Sequence, residues 1–282
     1  MARTIYLDTA LWYDLAEGRI RTESFESAIH DGIITPVFSF IHLMEFAQSE
    51  ITSRNRVTRY IDALIQTGRA CWIKSLPVVS EEELGHGYLR FQAIDSGPVK
   101  VLKDAFVDTL RITVQGLDRV EARTYNVTTL VSIMSGLRQF RKTRALLDIV
   151  RLQLLRLKAG KSVDPSRSEY VRNVWADMPR SVQTPRGLWL DITPALTDQF
   201  LRQLRWEEIP AIALRVALLN GWSLGLGGAK ASDFEDLFHI APPLAYCDVA
   251  FTDKRVYAAL ERGGATRLPK RNSEFSAWCR EL

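Results

Sequence analysis

Short apolar runs near the start and the end of the chain lead into acidic residues. Thr4-Ile5-Tyr6-Leu7 ends at Asp8, and Val249-Ala250-Phe251-Thr252 ends at Asp253. Pro36-Val37-Phe38-Ser39 leads into Phe40-Ile41-His42-Leu43-Met44-Glu45-Phe46. A brief continuous apolar run reads as a strand buried on both faces. On this pattern residues 4–8, 33–39 and 249–253 are strands, and residues 70–76 form a further one.

Between these runs the period changes to that of helices. Residues 10–17 read as a helix stopped by Gly18, and residues 24–30 as a short helix before an Asp31-Gly32 turn. Residues 40–50 are apolar on most sides, so a largely buried helix carries Glu45. Residues 57–65 are amphipathic and end at Gly68, and residues 254–262 read as a helix after Asp253. This strand–helix rhythm favours a parallel sheet with helices on both faces.

The middle of the chain has another character. Ser80-Glu81-Glu82-Glu83 has the form of a capping box, with Ser80 as N-cap and Glu83 at N3. Helical patterns then run to about residue 160, residues 160–186 read as loop, and residues 196–206 and 210–220 read as helices again. Leu224-Gly225-Leu226-Gly227-Gly228 reads as a flexible link, and no internal repeat is visible. The expected architecture is α/β: a three-layer α/β/α domain with a central parallel sheet, built from residues 1–78 and 216–282. Residues 79–215 form a large, mostly helical insertion.

Composition narrows the class only a little. At 282 residues, 46% of them hydrophobic and 25% charged, the chain has an ordinary globular balance and can bury a full core. No apolar stretch approaches transmembrane length, so no membrane partner is expected. Met1-Ala2-Arg3-Thr4 runs directly into a strand pattern, which predicts no signal peptide. Cys71, Cys247 and Cys279 are widely spaced and show neither a disulfide framework nor a zinc motif, in keeping with a reducing cytoplasm. The net charge of +4 permits a nucleic-acid partner without demanding one.

The acids carry the chemistry. In α/β proteins ligands bind beyond the carboxyl ends of the strands, where Asp8 and Asp253 are expected. Carboxylates crowded there repel one another unless a cation neutralises them, which points to a divalent metal. Each acid also has a plainer role. Asp8 fits the N-cap of the helix 10–17 with Ala10 as N2, and Asp253 fits the cap of the helix 254–262. Glu45 lies among apolar residues, where a carboxylate without a partner is strongly disfavoured; an arginine or an acid-lined metal site would each satisfy it. Asp236 competes with Asp233, one turn earlier on the same face, which serves as an outer ligand or as the N-cap of that helix. Thr9, Thr252 and His239 stand close enough in sequence to support such a site, or to make local hydrogen bonds instead. Asp248 is expected at the surface or paired with a base, and Cys247 in the core.

Taken together, Tyr6-Leu7-Asp8-Thr9, Glu45 on the helix after the second strand, Asp236 early in a later helix and Phe251-Thr252-Asp253 resemble the PIN-domain family. These are Mg²⁺- or Mn²⁺-dependent ribonucleases, among them the toxin nucleases of toxin–antitoxin pairs. The likeness covers roughly the first and last quarters of the chain. It departs from the family in the long middle segment and in Pro242-Pro243, a pair expected to interrupt the helix. The resemblance implies Asp8, Asp236 and Asp253 as metal ligands, with Glu45 binding through water or orienting the attacking water. It implies endonucleolytic cleavage of single-stranded or structured RNA, with DNA left open. An antitoxin or inhibitor protein and a homodimer are the partners it suggests. Hard cations suit such oxygen donors, and the chemistry they supply is charge relief and an acidified water.

Residues 138–161 join Arg138, Arg141, Lys142, Arg144, Arg151, Arg156, Lys158 and Lys161 to an apolar face. This amphipathic basic stretch is read either as a solvated helix or as a contact for nucleic-acid phosphates, led by Arg138, Arg141, Arg144 and Arg151. The rival reading of the whole chain is a non-catalytic RNA- or protein-binding module. A phosphatase reading lacks an Asp-x-Asp pair after the first strand, and no G-x-x-x-x-G-K-[ST] loop is present for nucleotide triphosphates.

Overall fold

The computed structural model describes residues 2–21, 23–67, 70–74, 79, 82–83, 126–136, 205, 207–224 and 231–282. The first half of the sheet core runs β1 (Arg3–Tyr6), α1 (Thr9–Ala16), α2 (Glu23–His30), β2 (Ile34–Phe38), α3 (Phe40–Gln48), α4 (Ile51–Thr67) and β3 (Cys71–Trp72). There follow α5 (Val127–Gly136), α6 (Pro210–Leu224), α7 (Ala231–Tyr246), β4 (Val249–Thr252), α8 (Lys254–Arg262), β5 (Lys270–Arg271) and α9 (Phe275–Cys279). The basic stretch 138–161, the loop 160–186, the link 225–228 and all but Arg205 of the segment 196–206 lie outside the described residues.

The strands form one 5-stranded sheet in the order β3-β2-β1-β4-β5, and every pairing is parallel. The chain winds outward from β1 through β2 to β3, then returns to the other side of β1 for β4 and β5. The order therefore reverses between β1 and β4, the place where open parallel sheets open a crevice.

Successive residues of a strand point to opposite faces, and the two cores follow from that. Ile5 and Leu7 pack with Phe38, Trp72 and Phe251 beneath α1, α2, α4, α5 and α9. Tyr6, Val37 and Ala250 face the other way, against α6, α7 and α8. Tyr6 is in register with Val37 on β2 and with Ala250 on β4. The α/β class and the layering of helices on both faces match the expectation from the sequence.

Several particulars differ from it. The Pro242-Pro243 pair does not interrupt its helix: α7 continues through both prolines to Tyr246. Each proline removes a backbone donor, at a cost of about 3 kcal/mol. Buried Ile240, Ala241, Leu244, Ala245 and Tyr246 on either side hold the turn in the core regardless. Asp233 is not an N-cap, because α7 already begins at Ala231. Strand β3 is only Cys71–Trp72, shorter than the apolar run. Strand β5 and helix α9 were not expected at all. The boundary drawn between residues 215 and 216 falls inside the continuous helix α6.

Glu83 also departs from its expected role. Ala211 N–H donates to its Oε1 at 2.8 Å and Ile212 N–H to its Oε2 at 3.1 Å, and the Tyr246 hydroxyl donates to Oε1 at 2.5 Å. Its carboxylate thus caps the start of α6, far along the chain. Glu82 pairs instead with Lys74 at 2.7 Å.

Helices α6 and α8 cross at very short range. A Cβ on Gly221 would stand 1.7 Å from the Ala259 carbonyl oxygen, and one on Gly263 1.8 Å from that of Ala217. The two glycines and two alanines alternate across the crossing at i and i+4, so backbone lies against backbone. Arg262 Nε–H donates to the Gly221 carbonyl at 3.3 Å and fastens the same seam.

Candidate functional site

Asp8 and Asp253 stand in equivalent places. Asp8 follows β1 after one intervening residue, Leu7, and Asp253 directly follows β4, the strands flanking the reversal, and each caps the helix that follows. Asp8 Oδ1 accepts from Ala10 N–H at 3.0 Å, and Asp253 Oδ1 accepts from Val256 N–H at 2.8 Å. The capping roles read from the sequence are therefore both present. Since β1 and β4 are adjacent and parallel, these caps put both carboxyl groups at the same edge of the sheet.

Glu45 approaches from the far side of β1. The Thr9 hydroxyl donates to Glu45 Oε2, so the residue after Asp8 is tied directly to the third acid. One helical turn along, Tyr13 and Ser49 join their hydroxyls, and Ser49 Oγ donates to the Glu45 carbonyl at 2.9 Å. Thr9 and Tyr13 are four apart on α1, as are Glu45 on α3 and Ser49 at its C-cap. The two helices thus meet through matched rungs that fix where Glu45 sits.

His42, which the sequence reading passed over, sets the turn beneath these acids. Ser39 N–H donates to His42 Nδ1 at 3.1 Å, so Nε2 carries the ring proton and gives it to the Leu7 carbonyl at 2.7 Å. A fully buried imidazole thereby locks the residue before Asp8 to the start of α3. Beside it, Tyr6 shares a 2.8 Å hydrogen bond with Ser39 Oγ. Burial pushes the Tyr6 phenol well above its ordinary range, the Ser39 bond opposes this, and the negative charges of Glu45 and Asp8 add to the rise. One buried hydroxyl thus feels both carboxylates.

Asp236 lies in the first half of α7. Helix α7 runs back along the sheet and passes through only Cys247 and Asp248 before β4 begins. From Tyr246 back to Asp236 the helix rises about 15 Å. From Val249 to Asp253 the strand rises about 13 Å. The two rises are similar in length, and α7 packs against both β4 and α3. Asp236 is half-buried; Asp233 and His239 belong to the same helix, and their side chains are not described. Thr252 is buried at the end of β4. Asp248 lies at the opposite edge, where its Oδ2 accepts from Thr4 N–H at 2.7 Å.

A residue from β5 completes this edge. Strand β5 pairs with β4 so that Thr252 is level with Arg271, which brings Asn272 level with Asp253. From there Asn272 Nδ2–H donates to Asp8 Oδ2 at 3.1 Å. Its Oδ1 is buried and has no hydrogen-bond partner among the described residues. Lys254, Arg255, Lys270 and Arg271 are exposed around it, and Arg271 pairs with Glu274 at 3.1 Å and lies over the Tyr257 ring.

Among the described residues no three His, Cys, Asp or Glu side chains are gathered tightly enough to hold an ion by themselves. The described candidates, Asp8, Asp253, Asp236, Glu45 and the Asn272 amide, nevertheless offer oxygen donors. Such a set suits Mg²⁺ or Mn²⁺ and not the nitrogen and sulfur preferences of zinc. The orphaned Asn272 Oδ1 is an acceptor left for a cation or a donor. Comparison with protein families, with curated proteins and with solved structures gave no match to this chain. Among the described residues no helix is long and apolar enough to cross a membrane.

Proposed function

We propose that this protein is a metal-dependent endoribonuclease of the PIN type, with Asp8, Glu45, Asp236 and Asp253 as its acidic site. The observation that carries the reading is the position of Asp8 and Asp253. They follow the two strands that flank the order reversal of a parallel sheet, where a ligand crevice is expected.

In this reading Asp8 and Asp253 hold a Mg²⁺ or Mn²⁺ ion from the two sides of the reversal, and Asp236 serves the same ion or a second one. When bound, the cation relieves the negative charge of the phosphoryl group and acidifies water. Thr9 donates to Glu45 Oε2, and in this reading the Glu45 carboxylate orients the attacking water. Water adds at phosphorus, the ester bond to the leaving ribose oxygen breaks, and one phosphodiester becomes a phosphomonoester and an alcohol. The exposed Lys254, Arg255 and Lys270, together with Arg138, Arg141, Arg144 and Arg151 of the basic stretch, supply phosphate contacts. A cytoplasmic toxin or defence effector, held in check by an inhibitor protein, is the cellular role that fits this chemistry.

The second reading, a non-catalytic binder of RNA or protein, draws support from the capping bonds of Asp8 and Asp253, which give both acids a structural purpose. Incubation of the purified protein with a mixed RNA pool, with and without Mn²⁺, separates the two. Cleavage that needs Mn²⁺ and spares phosphomonoesters supports the nuclease. An intact RNA pool supports the binder, and a single-stranded DNA arm reports on the choice of nucleic acid.

A further inference from the structure

Asn272 is separated from Asp8 by almost the whole chain, and nothing in its sequence surroundings marks it. Its place is set by β5. That strand is two charged, exposed residues, Lys270 and Arg271, which pair with Phe251 and Thr252 of β4. The backbone leaves β5 at the level where Asp253 leaves β4, and at Asn272 it turns into a 3₁₀ turn, Asn272–Glu274, that leads to α9. Phe275 and Trp278 bury α9 against Phe251, so the turn is anchored from below. The Asn272 side chain therefore leaves β5 beside the end of β4 and reaches the carboxylate that follows β1. It spans the very interval in which the strand order reverses.

The amide is satisfied on one side only. Nδ2–H is given to Asp8 Oδ2, while Oδ1 is buried without a partner among the described residues. Turning the amide over would set Oδ1 against a carboxylate oxygen, so the orientation is fixed by charge. A buried amide oxygen left unmade costs about 1–3 kcal/mol. Such a cost is carried more readily where the atom has a ligand to meet.

We infer that Asn272 is a further residue of the metal site: it orients Asp8 through Nδ2–H and offers Oδ1 to the cation as a neutral oxygen donor. This rests on the nuclease reading of the same edge and adds to it a positioning residue from β5. The arrangement has a physical logic. Each added carboxylate raises the repulsion that the cation must overcome, whereas an amide supplies an oxygen without charge and a donor that steadies the neighbouring acid. The basic pair before it, Lys270 and Arg271, keeps the local field from becoming more acidic still.

The test is Mn²⁺ binding, read from the free-ion signal in electron paramagnetic resonance and from the Mn²⁺-induced rise in melting temperature. It uses the full-length protein and its Asn272→Ala and Asn272→Asp variants. The inference expects Asn272→Ala to weaken Mn²⁺ binding on the order of tenfold, as loss of a supporting group does. It expects Asn272→Asp, which keeps the shape and adds a charge, to melt lower without metal and to bind Mn²⁺ several-fold more tightly, on the order of ligand-charge effects. A purely structural asparagine would lower the melting temperature of both variants and leave their Mn²⁺ affinity at the native value, which overturns the inference. If Asn272→Ala does not fold, an unchanged Mn²⁺ affinity in Asn272→Asp overturns it equally. Native protein that binds Mn²⁺ and cuts RNA while both variants bind as it does removes Asn272 alone. Native protein that binds no Mn²⁺ removes the metal site and Asn272 with it.

Discussion

Thr9 donates its hydroxyl hydrogen to the carboxylate of Glu45, joining the turn after β1 to the helix after β2. A hydrogen bond to a charged group contributes about 1.5–3 kcal/mol. In Thr9→Val the shape is kept and the donor is lost, so Glu45 loses this tether to α1. If Glu45 acts in the transition state as proposed, and not in substrate binding, RNA cleavage is expected to fall on the order of tenfold in kcat with little change in KM. Steady-state kinetics on a fluorogenic RNA check this, and a loss confined to KM would contradict it.

The capping roles of Asp8 and Asp253 decide what their removal does to stability. Asparagine caps helices about as well as aspartate, whereas alanine costs about 1 kcal/mol. Asp8→Asn and Asp253→Asn should therefore melt close to the native protein while losing cleavage. The alanine variants should lose cleavage and melt lower. At position 8 the Asn272 amide can turn over to meet the new amide, which helps the fold tolerate the change. A thermal melt beside an RNase assay reads both quantities, and full activity in either asparagine variant would refute the catalytic role.

The α6–α8 crossing gives a prediction about the fold alone. Gly221→Ala and Gly263→Ala each force a methyl group into a backbone carbonyl at a distance no real contact allows. Relief requires the two helices to part, so each variant should lose about 2 kcal/mol or more of stability. Urea denaturation measures it. A native midpoint in either variant would show that the helices do not lie this close.

Glu83 should make the stability depend on pH. Burial lifts its carboxyl to about 7 from 4.5, against the downward pull of Tyr246, Ala211 and Ile212. Above pH 4.5 the unfolded chain releases this proton while the folded chain keeps it until about pH 7, so stability falls as pH rises through that window. The span corresponds to a change on the order of 3 kcal/mol. Urea midpoints of the native protein minus those of Glu83→Gln should decline from about pH 5 to about pH 8, since glutamine cannot titrate. Parallel curves for the two proteins would contradict the assignment.

How much of this was legible beforehand depends on whether the cause is local. Strands β1, β2 and β4 are buried on both faces, so their apolar runs declare them, and the acids at their ends are visible at once. Strand β5 carries only Lys270 and Arg271, both exposed, and it is a strand because β4 offers it backbone partners. Asn272 was therefore invisible, as its role comes from an alignment set by that pairing. The Ser80-to-Glu83 spacing suggested a local cap, but Glu83 instead serves a helix that starts at Pro210. In the same way the core around α7 overrides the preference of Pro242 and Pro243 to end a helix. His42 could have been suspected from its place three residues after Ser39, where a side chain can reach back to the cap.

The most direct measurement is anomalous diffraction from crystals of the protein grown or soaked with Mn²⁺. The account predicts an anomalous peak at the carboxyl edge of the sheet, between the ends of β1 and β4, within about 2.5 Å of an oxygen of Asp8 and of one from Asp253. A structure at saturating Mn²⁺ in which both carboxylates hold only the N–H groups of their helices, with the ion bound elsewhere or not at all, would contradict it.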